Sequence, residues 1–83
     1  MVKVAVVDGR KIYVDGNDHG RPHFHILAAE YRAVVDIETL RLLRGRLPKP
    51  RLRKLLSWAK PRQVQLFEAW DRARGGQPVK RIV

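Results

Sequence analysis

The stretch HFHILAAEYRAVVD, residues 23–36, decides the fold because it has the pattern of a β-hairpin. It opens a strand predicted over His23–Ala28 and leads into a second strand predicted over Tyr31–Ile37. Ala29-Glu30 lies between them and has the length of a two-residue hairpin loop. The stretch therefore predicts two antiparallel strands that any neighbouring strands can extend into a sheet.

The first of these strands separates two kinds of side chain. His23 and His25 are two residues apart, so both point to one face, with Cα atoms ~6.6 Å apart. Phe24, Ile26 and Ala28 point to the other face and supply core. The strand therefore predicts a sheet with an apolar face and a histidine-bearing face.

A two-residue loop also sets the register. Counting away from it pairs His23 with Asp36 and His25 with Val34. Opposed side chains lie ~4.5–5.5 Å apart at Cβ, so we expect Asp36 to accept a proton from a ring nitrogen of His23 and fix its tautomer. One extra loop residue would destroy this pairing.

The flanking sequence continues the sheet on both sides. Val2–Val6 and Arg10–Val14 are predicted strands, and Asp8-Gly9 between them is a strong type I′ turn signal. Leu42-Leu43 is a short fifth strand before a glycine. The first half of the chain therefore predicts an antiparallel meander of about four to five strands.

The period changes at Pro48. The residues of the next apolar stripe follow helical spacing: Leu52, Leu55, Leu56 and Ala59. Pro61 opens a second helix, and Gly75-Gly76 ends it. The predicted fold class is α+β, with two helices covering one face of the meander. We expect a single domain over residues 1–83, with strands over about 2–44, helices over about 50–74 and a C-terminal tail over 75–83.

Composition narrows the functional classes. The chain has 83 residues, 45% hydrophobic and 31% charged, which is typical of one small globular domain. It lacks cysteine, so disulfides, cysteine-bound zinc and a cysteine nucleophile are excluded. No apolar run approaches the ~20 residues of a membrane span, and no secretory signal is visible. We expect a cytoplasmic protein without a cofactor. A second copy of the chain is a candidate partner, because a homodimer would add stability to so small a domain.

The charge is strongly unbalanced. Eighteen lysines and arginines stand against eight acids, a net charge of +10, and Thr39–Phe67 contains no acid. This pattern favours RNA or DNA as partner, or an acidic protein, over an ordinary charged surface. The predicted nucleic-acid-binding residues are Arg44, Arg46, Lys49, Arg51, Arg53 and Lys54.

Three interpretations of the histidines remain open. Two imidazoles beside a phosphodiester can act as general base (His23) and general acid (His25), with Asp36 as orienting residue and Arg21 as phosphate clamp, which would make the chain a metal-independent ribonuclease. The same rings together with His19 could bind a metal ion. In the third interpretation the histidines hydrogen-bond the backbone and hold the loop.

The segment HGRPHFH, residues 19–25, resembles a family of small bacterial proteins known as domain-of-unknown-function family 4160. The likeness continues through the segments AVVDIET (33–39) and GRLP (45–48) and reaches Trp58 and Glu68–Trp70. Two positions depart from the family pattern. Arg21 stands where the family usually has a proline, and Leu40 stands where it often has the glycine of a turn.

The resemblance implies a genetic context more than a reaction. Members of the family are often encoded beside another small protein, in pairs that look like toxin–antitoxin modules. For this chain it implies a toxin-like basic protein that acts on RNA or binds it, with an acidic partner encoded by an adjacent gene. The alternative is a non-enzymatic module that binds nucleic acid or protein, and a metal-binding protein is a further alternative.

Overall fold

A computed structural model describes residues 1–16 and 20–82. The chain forms five strands, β1 (Val2–Val7), β2 (Arg10–Val14), β3 (His23–Leu27), β4 (Arg32–Asp36) and β5 (Leu42–Gly45). Two helices follow, α1 (Lys49–Ala59) and α2 (Gln63–Arg74), joined by a 3-10 turn over Lys60–Arg62. The predicted α+β class is confirmed.

The strands form one antiparallel sheet in the order of the chain, β1-β2-β3-β4-β5. The hairpin of β3 and β4 has the predicted register, because His23 pairs with Asp36 and His25 pairs with Val34. At the far edge Val34 pairs with Arg44 and the next residue of β4 pairs with Leu42, so Leu43 is an extra residue in β5. This β-bulge bends the edge strand and increases its twist.

Both helices pack on one face of the sheet, as predicted. The core brings Phe24 and Ile26 of β3, both fully buried, together with Leu55 of α1 and Leu66 of α2. Trp70 closes the core from α2 and is 4% exposed. Since neighbouring residues of a strand point to opposite faces, His23 and His25 lie on the face that the helices do not cover.

The connection between the two helices differs from the prediction. The second helix was expected to begin at Pro61, but that residue lies inside the 3-10 turn and α2 begins at Gln63. A proline fits the first turn of a helical segment because it has no N–H to donate there. Gln63 then donates from its side chain to the carbonyl oxygens of Ile37 and Glu38, which ties the start of α2 to the end of β4.

The turn after β4 has an unusual backbone. Leu40 adopts φ +59°, in the left-handed region that glycine occupies without strain. It is held there by a hydrogen bond from its amide to the Asp36 carbonyl, 2.8 Å, and its side chain packs against the core. The turn is thus built with a leucine at a position whose geometry suits glycine.

The C-terminal tail covers the outer edge of β1. The Ile82 amide donates to the carbonyl of Val4 at 2.7 Å, and the Ile82 side chain is buried. The described residues contain no helix with the length and apolarity needed to cross a membrane.

Candidate functional site

The candidate site lies where β3 begins, on the face of the sheet away from the helices. His23 is 6% exposed and His25 is half-buried. Their ring centroids are 5.2 Å apart and the ring planes meet at 70°, an edge-to-face arrangement. The strand therefore presents the two imidazoles as one contiguous pair.

A backbone contact orients the ring of His23. Its Nδ1 lies 2.6 Å from the carbonyl oxygen of Arg21. A carbonyl oxygen only accepts, so Nδ1 must carry the proton and donate. In the neutral ring Nε2 is then the atom that can accept a proton. The carbonyl of Arg21, two residues earlier in the chain, thus fixes the tautomer of His23.

Asp36, opposite His23, is the most deeply buried charged side chain of this face, at 1% exposure. Its Oδ1 accepts hydrogen bonds from the amides of Glu38 (2.7 Å) and Thr39 (2.9 Å). Its Oδ2 forms an ion pair with Nε of Arg21 at 2.6 Å. The carboxylate therefore links the turn after β4 to the segment that leads into β3.

These contacts determine the charge state of Asp36. Burial raises the pKa of the carboxyl, but the hydrogen bonds from the Thr39 and Glu38 amides and the charge of Arg21 outweigh that effect. The pKa of Asp36 is accordingly lowered from its ordinary value of 3.8. Asp36 is thus a carboxylate at neutral pH.

The geometry restricts how Asp36 could orient the ring of His23. Nδ1 of His23 is occupied by the Arg21 carbonyl, so a hydrogen bond from that ring to Asp36 would have to use Nε2. The contact that Asp36 makes at 2.6 Å is with Arg21, whose side chain is 61% exposed. Asp36 therefore positions Arg21, and its role toward His23 stays a prediction.

The six cations predicted to bind nucleic acid are all exposed, but they lie on two surfaces. Arg44 lines a concavity of about 390 Å³ together with His25 and Arg32 on the open face of the sheet. Arg51 and Lys54 line a separate depression beside α1. The remaining three are Arg46, at the end of β5, and Lys49 and Arg53, both on α1. The structure therefore brings only Arg44 close to the histidines.

Three further candidate residues lie on the histidine face of the sheet, outside the acid-free stretch Thr39–Phe67. Tyr13 of β2 pairs with His25, and Lys3 of β1 pairs with Tyr13. Arg32 lies on the same face, two residue pairs closer to the loop of the β3–β4 hairpin than Val34, the partner of His25. For Arg32 the signal was available in the sequence, because the register count of the β3–β4 hairpin places it on the histidine face. The connection from β2 to β3 is too long to give such a count for Tyr13 and Lys3.

The metal interpretation involves a residue outside the described chain. His19, its third predicted ligand, belongs to residues 17–19, on which the structure gives no information. Within residues 1–16 and 20–82, no group of three or more His, Cys, Asp or Glu side chains is placed to hold a metal ion. Metal binding by His19, His23 and His25 stays a prediction.

Fold and site together define a small α+β domain with an antiparallel sheet whose open face carries a histidine pair. The chain belongs to the family described as Domain of unknown function (DUF4160), whose model matches residues 10–71. That match extends from β2 into α2 and includes Arg21, the histidine pair and Asp36. No curated protein and no solved structure matches the chain.

Proposed function

We propose that the protein is an RNA-binding component of a two-gene, toxin–antitoxin-type module. The observation that carries the proposal is the combination of a net charge of +10 with a histidine pair set beside an anchored, exposed arginine. Arginine suits a phosphate because its planar group offers several donors in a fixed geometry. The Nε of Arg21 is held by Asp36, and the exposed rest of its guanidinium can face a ligand.

Affinity for RNA is expected to fall steeply with salt. If ~4–6 phosphates are neutralised, log K plotted against log salt should have a slope of about −3 to −5, because each neutralised phosphate releases counterions. Fluorescence anisotropy with a short labelled single strand, from low to physiological salt, measures this slope. A flat response would rule out the proposal and leave an acidic protein as the partner of the cations.

Charge reversal on α1 is expected to weaken RNA binding while the fold persists. Arg51, Arg53 and Lys54 are exposed, whereas α1 buries Leu55 and Ala59. Substituting all three with Glu should change stability by less than about 1 kcal/mol, since none supports the core. Affinity at low salt should drop by about tenfold or more. Unchanged affinity would show that α1 takes no part, and lost helicity in circular dichroism would show that its exposed face is structural.

A second candidate function is cleavage of the bound RNA. It is favoured by the edge-to-face contact of the two rings and by the tautomer that the Arg21 carbonyl imposes on His23. In this mechanism Nε2 of His23 takes the proton of the attacking 2′-hydroxyl and His25 donates a proton to the leaving oxygen. Arg21 stabilises the charge that develops on the phosphate. The step needs no metal ion or other cofactor.

An acidic protein encoded by an adjacent gene is the partner we propose for the module. A chain with 18 cations and 8 acids attracts an acidic surface at long range and holds it against competing neutral proteins. Co-expression and purification through a tag on this chain tests the idea. An acidic neighbour that co-purifies and dissociates at high salt supports it, and a solitary gene favours a stand-alone binding module.

A further inference from the structure

Pairing across the sheet aligns one side chain from each strand into a single row. Lys3 pairs with Tyr13, Tyr13 with His25, His25 with Val34, and Val34 with Arg44. Adjacent strands lie ~4.8 Å apart, so the row runs about 19 Å along the sheet surface. Its two ends are exposed cations and its middle holds two half-buried rings.

A second row lies beside the first on the same face, two residue pairs closer to the β3–β4 loop. It contains Lys11, Leu27 and Arg32, which pair in that order across β2, β3 and β4. Val6 pairs with Lys11 at the β1 end and is 50% exposed. Apolar side chains and cations thus alternate in the second row, whereas the first row has its cations at the two ends.

The face is concave rather than flat. Met1, just before β1, lines the same concavity as Arg44 of β5, although β2, β3 and β4 lie between those strands in the sheet. His25 and Val34 of the first row also line this concavity. A concavity of about 390 Å³ admits the bases of a single strand more readily than a rigid duplex.

Electrostatics on this face favours an anion. Asp36 is the only acid within the five strands, and its charge is buried and paired with Arg21. Lys3, Lys11 and Arg32 are exposed, and no ion pair of theirs is seen among the described residues. Phosphates that lie along the first row therefore meet positive charge at both ends.

We infer that the open face of the sheet binds single-stranded RNA across its strands, with bases stacked on Tyr13 and His25 and phosphates held by Lys3 and Arg44. The inference rests on the proposed function and names its substrate class and binding surface. Stacking on aromatic side chains accepts any base, because every base has a π-face. The row also leads a bound strand to His25, the more exposed ring of the histidine pair.

Two double variants of equal charge test the surface. Lys3→Gln with Arg44→Gln removes the cations of the row, and Lys80→Gln with Arg72→Gln, the control variant, removes two exposed cations of the tail and α2 that have no assigned role in binding. We expect the sheet variant to bind an unstructured oligouridylate about tenfold or more weaker than wild type, and to lower the magnitude of the salt slope by about 1.4. The control variant should lose less than about threefold.

A ring variant tests the stacking. Tyr13→Leu keeps an apolar side chain at a half-buried position but removes the ring, and Tyr13→Phe keeps the ring. Wild type and Tyr13→Phe should prefer the oligouridylate over an RNA duplex of equal length by about tenfold or more. Tyr13→Leu should lose that preference while its affinity for polyphosphate, a polyanion without bases, stays within about twofold.

Three outcomes would overturn the inference while leaving RNA binding in place. They are equal losses in the two double variants, a larger loss in the control variant, and an unchanged single-strand preference in Tyr13→Leu. A wild-type protein that binds no RNA at all would instead refute the proposed function itself. Circular dichroism and melting of each variant exclude unfolding as the cause of a loss.

Discussion

Replacing Asp36 with alanine is expected to destabilise the folded protein by about 2–4 kcal/mol. The carboxylate accepts from the amides of Glu38 and Thr39 and pairs with Arg21, so its removal breaks all three contacts. A domain of 83 residues has only about 4–12 kcal/mol of stability in total. The melting temperature should fall by about 10 °C or more.

Two further variants separate the contribution of the Asp36 charge from that of its hydrogen bonds. Asp36→Asn keeps an oxygen for the two amides but loses the charge, so we expect a smaller cost of about 1–2 kcal/mol. Glu38→Gln is the matched control, because it removes one exposed carboxylate from the same turn and should cost less than about 0.5 kcal/mol. Urea unfolding measures the free energy of unfolding of all three variants. An alanine variant as stable as the control would contradict the role assigned to this carboxylate.

The same carboxylate should make stability depend on pH. Its pKa in the folded protein is lowered below 3.8, so the unfolded chain binds the proton first as the pH falls. The contribution is complete above that ordinary value and disappears as the pH falls through the folded-state pKa. Between about pH 6 and about pH 2, the stability difference between wild type and Asp36→Asn should therefore shrink.

The second large effect concerns the histidines. If they cleave RNA, His23→Ala and His25→Ala should each slow cleavage by about 100-fold or more with little loss of RNA affinity. The rate should follow a bell-shaped pH profile, because one ring must be neutral and the other protonated. Asp36→Asn should reduce the rate less. A gel assay on a defined RNA, with wild-type protein purified away from any bound protein, measures these rates.

The hydrogen bond from Nδ1 of His23 to the Arg21 carbonyl suggests a control variant for the catalytic interpretation. In His23→Asn the side-chain amide can still donate to the Arg21 carbonyl, so the segment stays held while proton transfer is lost. The catalytic interpretation predicts a near-normal melting temperature and no cleavage for this variant. The structural interpretation predicts that His23→Ala melts lower and that wild type never cleaves. If a chelator reproduces the effect of the histidine variants, the metal interpretation is favoured.

Much of the fold could be predicted because its signals are local. The two-residue loop at Ala29-Glu30 determines the register of β3 and β4 by counting, and the structure confirms each predicted pair. The change of period after Pro48 located α1 to within a residue or two. Asp8-Gly9 supplies the left-handed backbone that a type I′ turn requires, with φ +50° and +74°.

The site was harder to predict because it depends on contacts between elements. No sequence pattern indicates that the Arg21 carbonyl reaches Nδ1 of His23, since that contact depends on the path of the loop before β3. Nor could the sequence show that Asp36 would hold Arg21 and the amides of its own turn. The acid-free stretch also appeared to be one surface, but Arg44 belongs to the sheet and Arg51 to α1.

The two edge strands of the sheet affect whether copies of the chain associate in a concentrated solution. An unpaired edge is a template for strand addition, and thus for polymerisation into fibres. Here the tail shields β1 through Ile82, whereas β5 is short, bulged at Leu43 and bordered by Arg41 and Arg46. Like charges and a bent backbone oppose a matching strand from a second copy. Association of copies through their strand edges is therefore disfavoured, although neither α1 nor α2 packs on the face of the sheet that carries the histidines.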